Sequence, residues 1–282
     1  MNEYTITTAD AAEKLRPGTM AQSFEGTEDE LKQTCNTQPC LYLVDLCAAV
    51  TLEENGIVPD AVAGFSLGEV AALAYAGAYS YSDGFLIVTE RGKLMDKATK
   101  QFDTAMYAVL KLDADTVTKT ASEFESLYAV NYNCPGQTVV SGLKSSFADF
   151  DEKISSLGGK CLPLAVSAAF HSPFMDEASS EFTNVLKKFK ITAPQMPVYA
   201  NITAKPYGND VVEMLGMQMK SPVKWQKTIE NMISDGFTDF IEVGAGKTLS
   251  GLIKKISKEV NVYSVEDADS LNATVQAVKE NA

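Results

Sequence analysis

The chain has 282 residues, of which 45% are hydrophobic and 22% charged, a composition typical of a folded globular protein. Its formal net charge of −13 argues against a nucleic-acid-binding protein, because neutralising phosphates requires a basic surface. The single histidine excludes a histidine-rich metal site, and we predict no metal and no cofactor.

The five cysteines are odd in number and form no C-x-x-C pair, so we expect reduced thiols in a cytoplasmic protein. The first residues lack a basic segment followed by an apolar one, which predicts no signal peptide. The apolar run from Leu41 to Leu52 is interrupted by Asp45 and is too short to cross a membrane. We expect a monomer that contacts neither membrane nor nucleic acid.

The first hundred residues divide into a weakly periodic part and a helical part. Residues 1–38 are polar and weakly periodic, with turn signals at Arg16-Pro17-Gly18 and Glu25-Gly26. The elements predicted next are a helix over residues 40–54, a short strand ending at Gly64, a helix to Tyr75, and a helix capped by Ser82 that runs to about Thr99.

Residues 105–165 show a different pattern, in which short strands and helices follow the order β-α-β-β-α-β. This order is that of a ferredoxin-like module, here inserted into a larger fold. The elements predicted are strands Ala105–Leu110, Tyr128–Asn131, Thr138–Ser141 and Lys160–Leu164, with helices Thr116–Leu127 and Phe147–Leu157.

After residue 165, strands alternate with helices again, which predicts a mostly parallel sheet covered on both faces. The predicted fold class is α/β, with an α/β-hydrolase-like large domain over 1–104 and 166–282 and the ferredoxin-like subdomain over 105–165. The elements predicted are helices Ser172–Phe189, Pro222–Ser234 and Leu249–Ser257, with strands Pro197–Ala200, Phe240–Val243 and Val260–Val265.

Ser66 lies in a G-x-S-x-G sequence between a strand-like run and an Ala-rich helix. This arrangement is typical of a nucleophile elbow, in which a strained turn exposes the serine hydroxyl. We expect a Cβ at Gly64 or Gly68 to clash with backbone, and the Leu67 N–H to act as an oxyanion donor at the helix N-terminus. The alternative is a Gly-Ser-Gly turn without catalytic function.

His171 is the only imidazole that could accept a proton from Ser66, and it lies where a loop is predicted to meet a helix. The alternative is a histidine packed among apolar neighbours. Arg91 has apolar residues three and four positions away on both sides, which places its guanidinium on or beside a buried stripe. Such an arginine either forms an internal salt bridge or binds a substrate carboxylate.

Two further kinds of segment invite comparison with binding sites. The sequence from Gly244 to Thr248 follows a predicted strand and precedes a predicted helix, but it lacks the spacing of a phosphate-binding loop. We interpret it as a tight strand-to-helix turn. The lysine clusters at 187–190 and 254–258 are typical of solvated helix faces, although one of them could bind an acidic partner.

Together these segments resemble the malonyl-CoA:acyl carrier protein transacylase family. The resemblance runs in order from about Ala11 to the C-terminus. The matching segments are Gly64-Phe65-Ser66-Leu67-Gly68-Glu69, Thr89 to Met95 around Arg91, Asn131-Tyr132-Asn133-Cys134-Pro135-Gly136-Gln137, Ala169-Phe170-His171-Ser172, Gln218 to Trp225, and Glu242 to Lys247.

The resemblance implies that Ser66 attacks the thioester of malonyl-CoA while His171 accepts its proton. It further implies that the backbone carbonyl of Gln218 orients His171 and that Arg91 binds the malonyl carboxylate. Substrate-binding roles for Asn133 and Phe170 are also implied. Acyl carrier protein would be the second partner, and its phosphopantetheine thiol would accept the malonyl group for fatty acid or polyketide synthesis.

Two departures from the family pattern leave alternatives open. Met1–Thr8 shows neither the strand nor the G-Q-G-x-Q loop with which the family opens, and that loop supplies a second oxyanion donor. Phe65 stands where the family usually has histidine. The alternatives are a serine thioesterase or esterase, which would need an acidic partner for His171, and a shortened binder of acyl-CoA or carrier protein without turnover.

Overall fold

The computed structural model describes residues 3–166 and 168–281. The helices are α1 Glu3–Leu15, α2 Thr19–Glu25, α3 Glu28–Leu31, α4 Thr34–Glu54, α5 Leu67–Tyr75, α6 Tyr81–Thr99, α7 Ala114–Ser122, α8 Phe147–Ser156, α9 Asp176–Leu186, α10 Val211–Gln218, α11 Trp225–Ser234, α12 Thr248–Ile256 and α13 Ala268–Asn281. The strands are β1 Val62–Ala63, β2 Thr104–Leu110, β3 Leu127–Cys134, β4 Gln137–Leu143, β5 Lys160–Pro163, β6 Val198–Tyr199, β7 Asp239–Val243 and β8 Asn261–Val265.

The strands form parallel pairs and one antiparallel sheet, so the fold is a mixed α/β fold. Strand β1 pairs in parallel with β6, and β7 pairs in parallel with β8. Over the described ranges no ladder joins these two pairs. The parallel direction predicted for the outer segments is therefore correct, while the single continuous parallel sheet is not observed.

The segment that contains β2 to β5 folds into a four-stranded antiparallel sheet with the strand order β3-β4-β2-β5. Helices α7 and α8 pack on one face of this sheet, where Phe147, Phe150 and Ile154 are fully buried. Burial of these large side chains stabilises the segment, because each contributes roughly 1.5–3 kcal/mol on removal from water.

Two buried clusters meet at the turn after β1. The larger one packs α4, α5, α6, α9 and α10 together. The second packs α11, α12 and β7, and it includes Trp225 and Phe240. Leu67 packs against the first cluster and Phe65 against the second. Ser66 therefore lies on the boundary between the two clusters.

Residues 3–38, where the sequence shows only weak periodicity, form α1, α2, α3 and the start of α4, and the turn signals at Arg16-Pro17-Gly18 and Glu25-Gly26 lie where α1 and α2 end. Met1 and Asn2 lie outside the described residues, and Glu3–Thr8 belong to α1. Thr27 and Glu30 form a capping box that starts α3. Helix α4 contains Pro39 in its second turn. Because proline has no N–H, the helix lacks the hydrogen bond to the Cys35 carbonyl.

Three predicted helices begin elsewhere in the structure. Helix α6 is capped by Ser80, whose hydroxyl accepts a hydrogen bond from the Asp83 N–H at 3.0 Å, and not by Ser82. Residues 173–175 form a 3₁₀ turn, so α9 begins only at Asp176. Pro222 and Val223 precede α11, because Val223 is extended beside β3.

The remaining differences between prediction and structure concern the bounds of α7 and two helices that were not predicted. Helix α7 begins at Ala114, after its cap at Asp113, and ends at Ser122 instead of continuing to Leu127. Helices α10 and α13 were not predicted. In the part of the chain that the structure describes, no helix is both long and apolar enough to cross a membrane.

Candidate active site

Ser66 lies in a strained turn between β1 and α5. Its backbone has φ 52° and ψ −101°, a region that residues other than glycine rarely adopt. A Cβ on Gly64 would lie 1.9 Å from the Gly68 carbonyl carbon, so only glycine fits there. A Cβ on Gly68 would meet nothing within 4 Å, and the predicted clash at that position was wrong. The steric requirement therefore rests on Gly64.

Asn201, which sequence reasoning missed, holds this turn from the other side. Its side-chain oxygen accepts a hydrogen bond from the Ser66 N–H at 2.7 Å, and its side-chain nitrogen donates to the Gly64 carbonyl at 2.6 Å. The residue is buried just after β6, the strand that pairs with β1. Its burial and the pairing of β6 with β1 are visible only in the structure, so the sequence carries no signal that could have identified it.

The hydroxyl of Ser66 lies within hydrogen-bonding distance of His171. Ser66 Oγ and His171 Nε2 are 2.8 Å apart. On the other side of the ring, His171 Nδ1 lies 3.0 Å from the Gln218 carbonyl and 3.2 Å from the Ser221 carbonyl. Because carbonyls only accept hydrogen bonds, Nδ1 carries the proton and Nε2 is free to accept the serine proton.

The backbone of His171 is fixed by the same segment that orients its ring. Its φ is 61°, and its N–H donates to the Met219 carbonyl at 2.9 Å. Burial and the positive charge of Arg91 lower the pKa of His171 to about 4. The imidazole is therefore neutral near pH 7, as a base must be.

Arg91 is 1% exposed and lies beside the nucleophile. It donates from Nη2 to Ser66 Oγ at 3.1 Å and to Gln218 Oε1 at 2.7 Å, and from Nη1 to Gln38 Oε1 at 2.7 Å. These bonds use three of its five N–H groups, and Nε has no partner among the described residues. Two donors therefore remain for an incoming anion.

No carboxylate forms an ion pair with Arg91 in the parts of the chain described. Burial lowers the pKa of Arg91 to about 10, which leaves it charged near pH 7. The salt-bridge alternative is thus not observed. A buried cation held only by neutral groups is an electrostatic site for a carboxylate.

Two glutamines hold Arg91, and sequence reasoning found only part of their contribution. Gln38, on α4, was missed; it is buried and directly precedes Pro39. For Gln218 the prediction concerned the backbone carbonyl alone. Its side chain also contacts the site, because Nε2 donates to the Ser66 carbonyl at 2.7 Å.

The Leu67 N–H is the first of α5 and donates to no other group in the described chain. It lies directly after the nucleophile at a helix N-terminus, where it is available to a developing oxyanion.

The other predicted side chains make no hydrogen bond to Ser66, His171 or Arg91 within the described residues. Asn133 is buried on β3, and its side-chain oxygen has no hydrogen-bond partner among the residues described. Phe170 is half-buried directly before His171 and packs against the main core and the antiparallel sheet. Phe65 packs against Trp225 with ring centroids 5.8 Å apart. An aromatic contact thus occupies the position beside Ser66.

The Gly244–Thr248 segment is a turn from β7 into α12, as predicted. Its helix N-terminus is already occupied, because the Glu242 carboxylate accepts hydrogen bonds from the Leu249 N–H at 2.9 Å and the Ser250 N–H at 2.6 Å. Across the described residues, no group of three or more His, Cys, Asp or Glu side chains is arranged to hold a metal.

Comparison with known proteins places this geometry in context. Residues 9–277 match the acyl transferase domain family. The chain is 36% identical to the malonyl CoA-acyl carrier protein transacylase of Bacillus subtilis over 278 residues, which cover 96% of the chain and 88% of that protein. It is also 36% identical to the Haemophilus influenzae protein of the same name, with 88% of the chain and 82% of that protein covered.

Solved structures give the same result. The malonyl CoA-acyl carrier protein transacylase of Clostridium perfringens superposes with a TM-score of 0.93 at 33% identity, covering 98% of this chain and 89% of that one. A complex of a type II PKS acyl carrier protein with its malonyl-transacylase gives a TM-score of 0.92 at 31% identity, with 97% and 91% covered.

Proposed function

Because the chain belongs to the malonyl-CoA:acyl carrier protein transacylase family, we propose that it transfers a malonyl group from malonyl-CoA to acyl carrier protein through an acyl-enzyme on Ser66. The observation that carries the proposal is the 2.8 Å contact between Ser66 Oγ and His171 Nε2, with the Arg91 guanidinium 3.1 Å from the same oxygen. Nucleophile, base and cation meet at one atom.

In the first half-reaction, the Ser66 oxygen attacks the thioester carbonyl while His171 Nε2 takes the hydroxyl proton. The new C–O bond forms, and the carbonyl oxygen becomes an oxyanion that the Leu67 N–H stabilises. When the C–S bond breaks, His171 returns the proton to the departing CoA sulfur. The products are free CoA and a malonyl ester on Ser66.

In the second half-reaction, the phosphopantetheine thiol of acyl carrier protein attacks the ester carbonyl. His171 takes the thiol proton and then returns it to the Ser66 oxygen as the ester bond breaks. The enzyme is restored, and the malonyl thioester leaves on the carrier.

Arg91 selects the acyl group in this scheme. In the acyl-enzyme the malonyl carboxylate carbon is three bonds from Ser66 Oγ, so it lies within reach of a guanidinium that is 3.1 Å from that oxygen. The two unused N–H groups of Arg91 bind the carboxylate. An acetyl group has no such anion and gains nothing from the cation.

Asn133 and Phe170 are assigned to the approach of the substrate. The buried side-chain oxygen of Asn133 has no partner in the described chain, and an amide N–H of the pantetheine arm could satisfy it. Phe170 adjoins the catalytic histidine and limits the space for substituents on the acyl group. Both assignments follow the family resemblance.

We extend the proposal to the domain organisation. The large part, 1–104 and 166–282, is assigned to an α/β-hydrolase-like domain because the nucleophile follows a parallel strand and precedes a helix. The segment 105–165 is assigned to a ferredoxin-like subdomain, a view supported by its antiparallel strand order. The monomeric state stays a prediction.

The thioesterase or esterase alternative expected an acidic side chain behind His171. Within the described residues, two backbone carbonyls hold Nδ1 instead. That alternative also leaves the buried, unpaired Arg91 without a function.

The experiment that tests the proposal is intact-mass measurement after incubation with malonyl-CoA. We expect one malonyl adduct that disappears in Ser66→Ala and that acyl carrier protein removes. No adduct on the wild type refutes the proposal. Rapid release of free malonate without carrier protein would favour the hydrolase, and binding of malonyl-CoA with no adduct would favour the non-catalytic binder.

A further inference from the structure

Glu69 is a fully buried carboxylate one turn after the nucleophile, and the mechanism above does not use it. It lies in the first turn of α5 with 0% of its surface exposed. Among the described residues, its carboxylate only accepts hydrogen bonds. The donors are the Tyr207 hydroxyl, the Asn201 N–H at 3.3 Å and the Gln218 side-chain nitrogen at 2.8 Å. This environment suits an ionised, acceptor-only carboxylate.

The contact with Gln218 decides which way its amide points. Gln218 Nε2 donates to the Ser66 carbonyl at 2.7 Å and to Glu69 Oε2 at 2.8 Å. Both are acceptors, so only the nitrogen end of the amide fits between them. The oxygen end must then face Arg91, and Gln218 Oε1 accepts from Arg91 Nη2 at 2.7 Å.

An amide turned by 180° would lose all three of these bonds. Its oxygen would face the Glu69 carboxylate and the Ser66 carbonyl, and its NH₂ group would face the Arg91 guanidinium. The amide oxygen would then face two other acceptors, and the amide NH₂ donor would face a cation. The free energy that excludes this arrangement comes mainly from the charges on Glu69 and Arg91, one at each end of the amide, because hydrogen bonds to an ionised group are the stronger ones.

We propose that Glu69 is a positioning residue for carboxylate recognition: it orients the Gln218 amide, which in turn holds the Arg91 guanidinium beside Ser66. The proposal rests on the proposed function, since it concerns how Arg91 selects a carboxylated acyl group. Glu69 itself touches neither Ser66 Oγ nor His171. Its effect on Arg91 passes through the Gln218 side chain, while its hydrogen bonds from the Asn201 N–H connect it to the turn as well.

The carboxylate titrates in a range where the base does not. Burial raises the pKa of Glu69 to about 7, against the opposing effect of its hydrogen bonds from Tyr207 and Gln218. The titratable and charged groups that face it are Tyr207, Tyr79 and Arg91, and both tyrosines have a pKa well above 10. His171 has a pKa of about 4. Burial also raises the pKa of Asp45 on α4 to about 7, so a change near neutral pH is assigned to Glu69 only where replacing Glu69 abolishes it.

The test compares Glu69→Gln, which keeps the shape but removes the charge and adds a competing donor, with wild type. We expect KM for malonyl-CoA to rise about 10- to 100-fold, while the rate of Ser66 acylation by acetyl-CoA changes by less than about twofold. In the wild type, KM for malonyl-CoA should rise as the pH falls from about 8 to about 6, and in the variant it should stay level. The matched control is Tyr207→Phe, which removes another partner of the same carboxylate and should keep the preference for malonyl-CoA.

Equal losses with both thioesters in Glu69→Gln would overturn the proposal, because they indicate general damage to the turn. A second readout does not depend on turnover. Hydrogen exchange of the Gln218 side-chain amide, measured by NMR and assigned by its absence in Gln218→Glu, should be at least about tenfold faster in Glu69→Gln. Unchanged exchange overturns the proposal. If wild type forms no malonyl adduct, the proposed function fails and this exchange rate alone decides the role of Glu69.

Discussion

Replacing Arg91 with methionine tests the selectivity mechanism directly. Methionine fills most of the buried volume and removes the charge, whereas alanine would leave a cavity. The substrate carboxylate would lose hydrogen bonds from the two N–H groups that the structure leaves unused. At about 1.5–3 kcal/mol for each of the two hydrogen bonds to a charged group, the loss is about 3–6 kcal/mol. With 1.4 kcal/mol for each factor of ten, kcat/KM for malonyl-CoA falls about 10²- to 10⁴-fold.

The comparison with acetyl-CoA makes this prediction specific. Acetyl-CoA lacks the carboxylate, so it loses nothing at that contact. Removing the Arg91 charge also relieves one of the two causes that lower the pKa of His171, which strengthens the base. We expect single-turnover acylation by acetyl-CoA, followed by rapid quench and intact mass, to be unchanged or faster. An equal loss for malonyl-CoA and acetyl-CoA in folded protein would refute the reasoning. Arg91→Lys is the matched variant, because lysine keeps the charge but lacks the planar guanidinium. Its kcat/KM for malonyl-CoA should lie between the values of the wild type and Arg91→Met.

Three further predictions concern the base and the turn. With acetyl-CoA, which leaves the Arg91 charge in place, the single-turnover rate of Ser66 acylation should stay level between about pH 6 and pH 8 and fall below about pH 5, because the pKa of His171 is about 4 and only the neutral ring accepts a proton; a profile that falls near pH 6.5 would contradict this. Gly64→Ala should lower the melting temperature sharply and Gly68→Ala should not, since only the first meets backbone; similar melting temperatures would argue against the steric account. Asn201→Ala should lower the free energy of unfolding by about 2–3 kcal/mol in urea titrations, from two lost hydrogen bonds to the turn, and a change below about 0.5 kcal/mol would show that these bonds do not hold it.

The sequence predicted the reacting groups better than the groups that hold them. Ser66, His171 and Arg91 each carry a local signal: a glycine-flanked turn, the only imidazole, and a cation on an apolar stripe. The structure brings them together as the pattern indicated. Asn201 and Gln38 carry no comparable signal. A neutral amide looks the same in a sequence whether it is solvated or bonded to a segment more than a hundred residues away, as Asn201 is.

The fold was predictable from the sequence where the hydrophobic periodicity was strong. The prediction failed where tertiary contacts decide at which residue a helix begins. The antiparallel segment and the strand before Ser66 were found. The helix expected from Pro222 begins only at Trp225, because Val223 exchanges hydrogen bonds with Val130 and Tyr132 on β3. The helix expected from Ser172 is delayed because the chain turns at His171, with a positive φ that no local propensity favours.

The charge of the Arg91 guanidinium determines when in the reaction His171 becomes the stronger base. While Arg91 is unneutralised, its charge lowers the affinity of His171 for a proton, so the unliganded enzyme holds a weak base. A malonyl carboxylate on Arg91 offsets that charge and raises the proton affinity of the ring at the moment the serine must lose its proton. A carboxylated thioester thus strengthens the base that activates its own nucleophile. A thioester whose acyl group has no carboxylate leaves the Arg91 charge in place and reacts with the weaker base. Arg91 therefore discriminates between acyl groups in the chemical step as well as in binding.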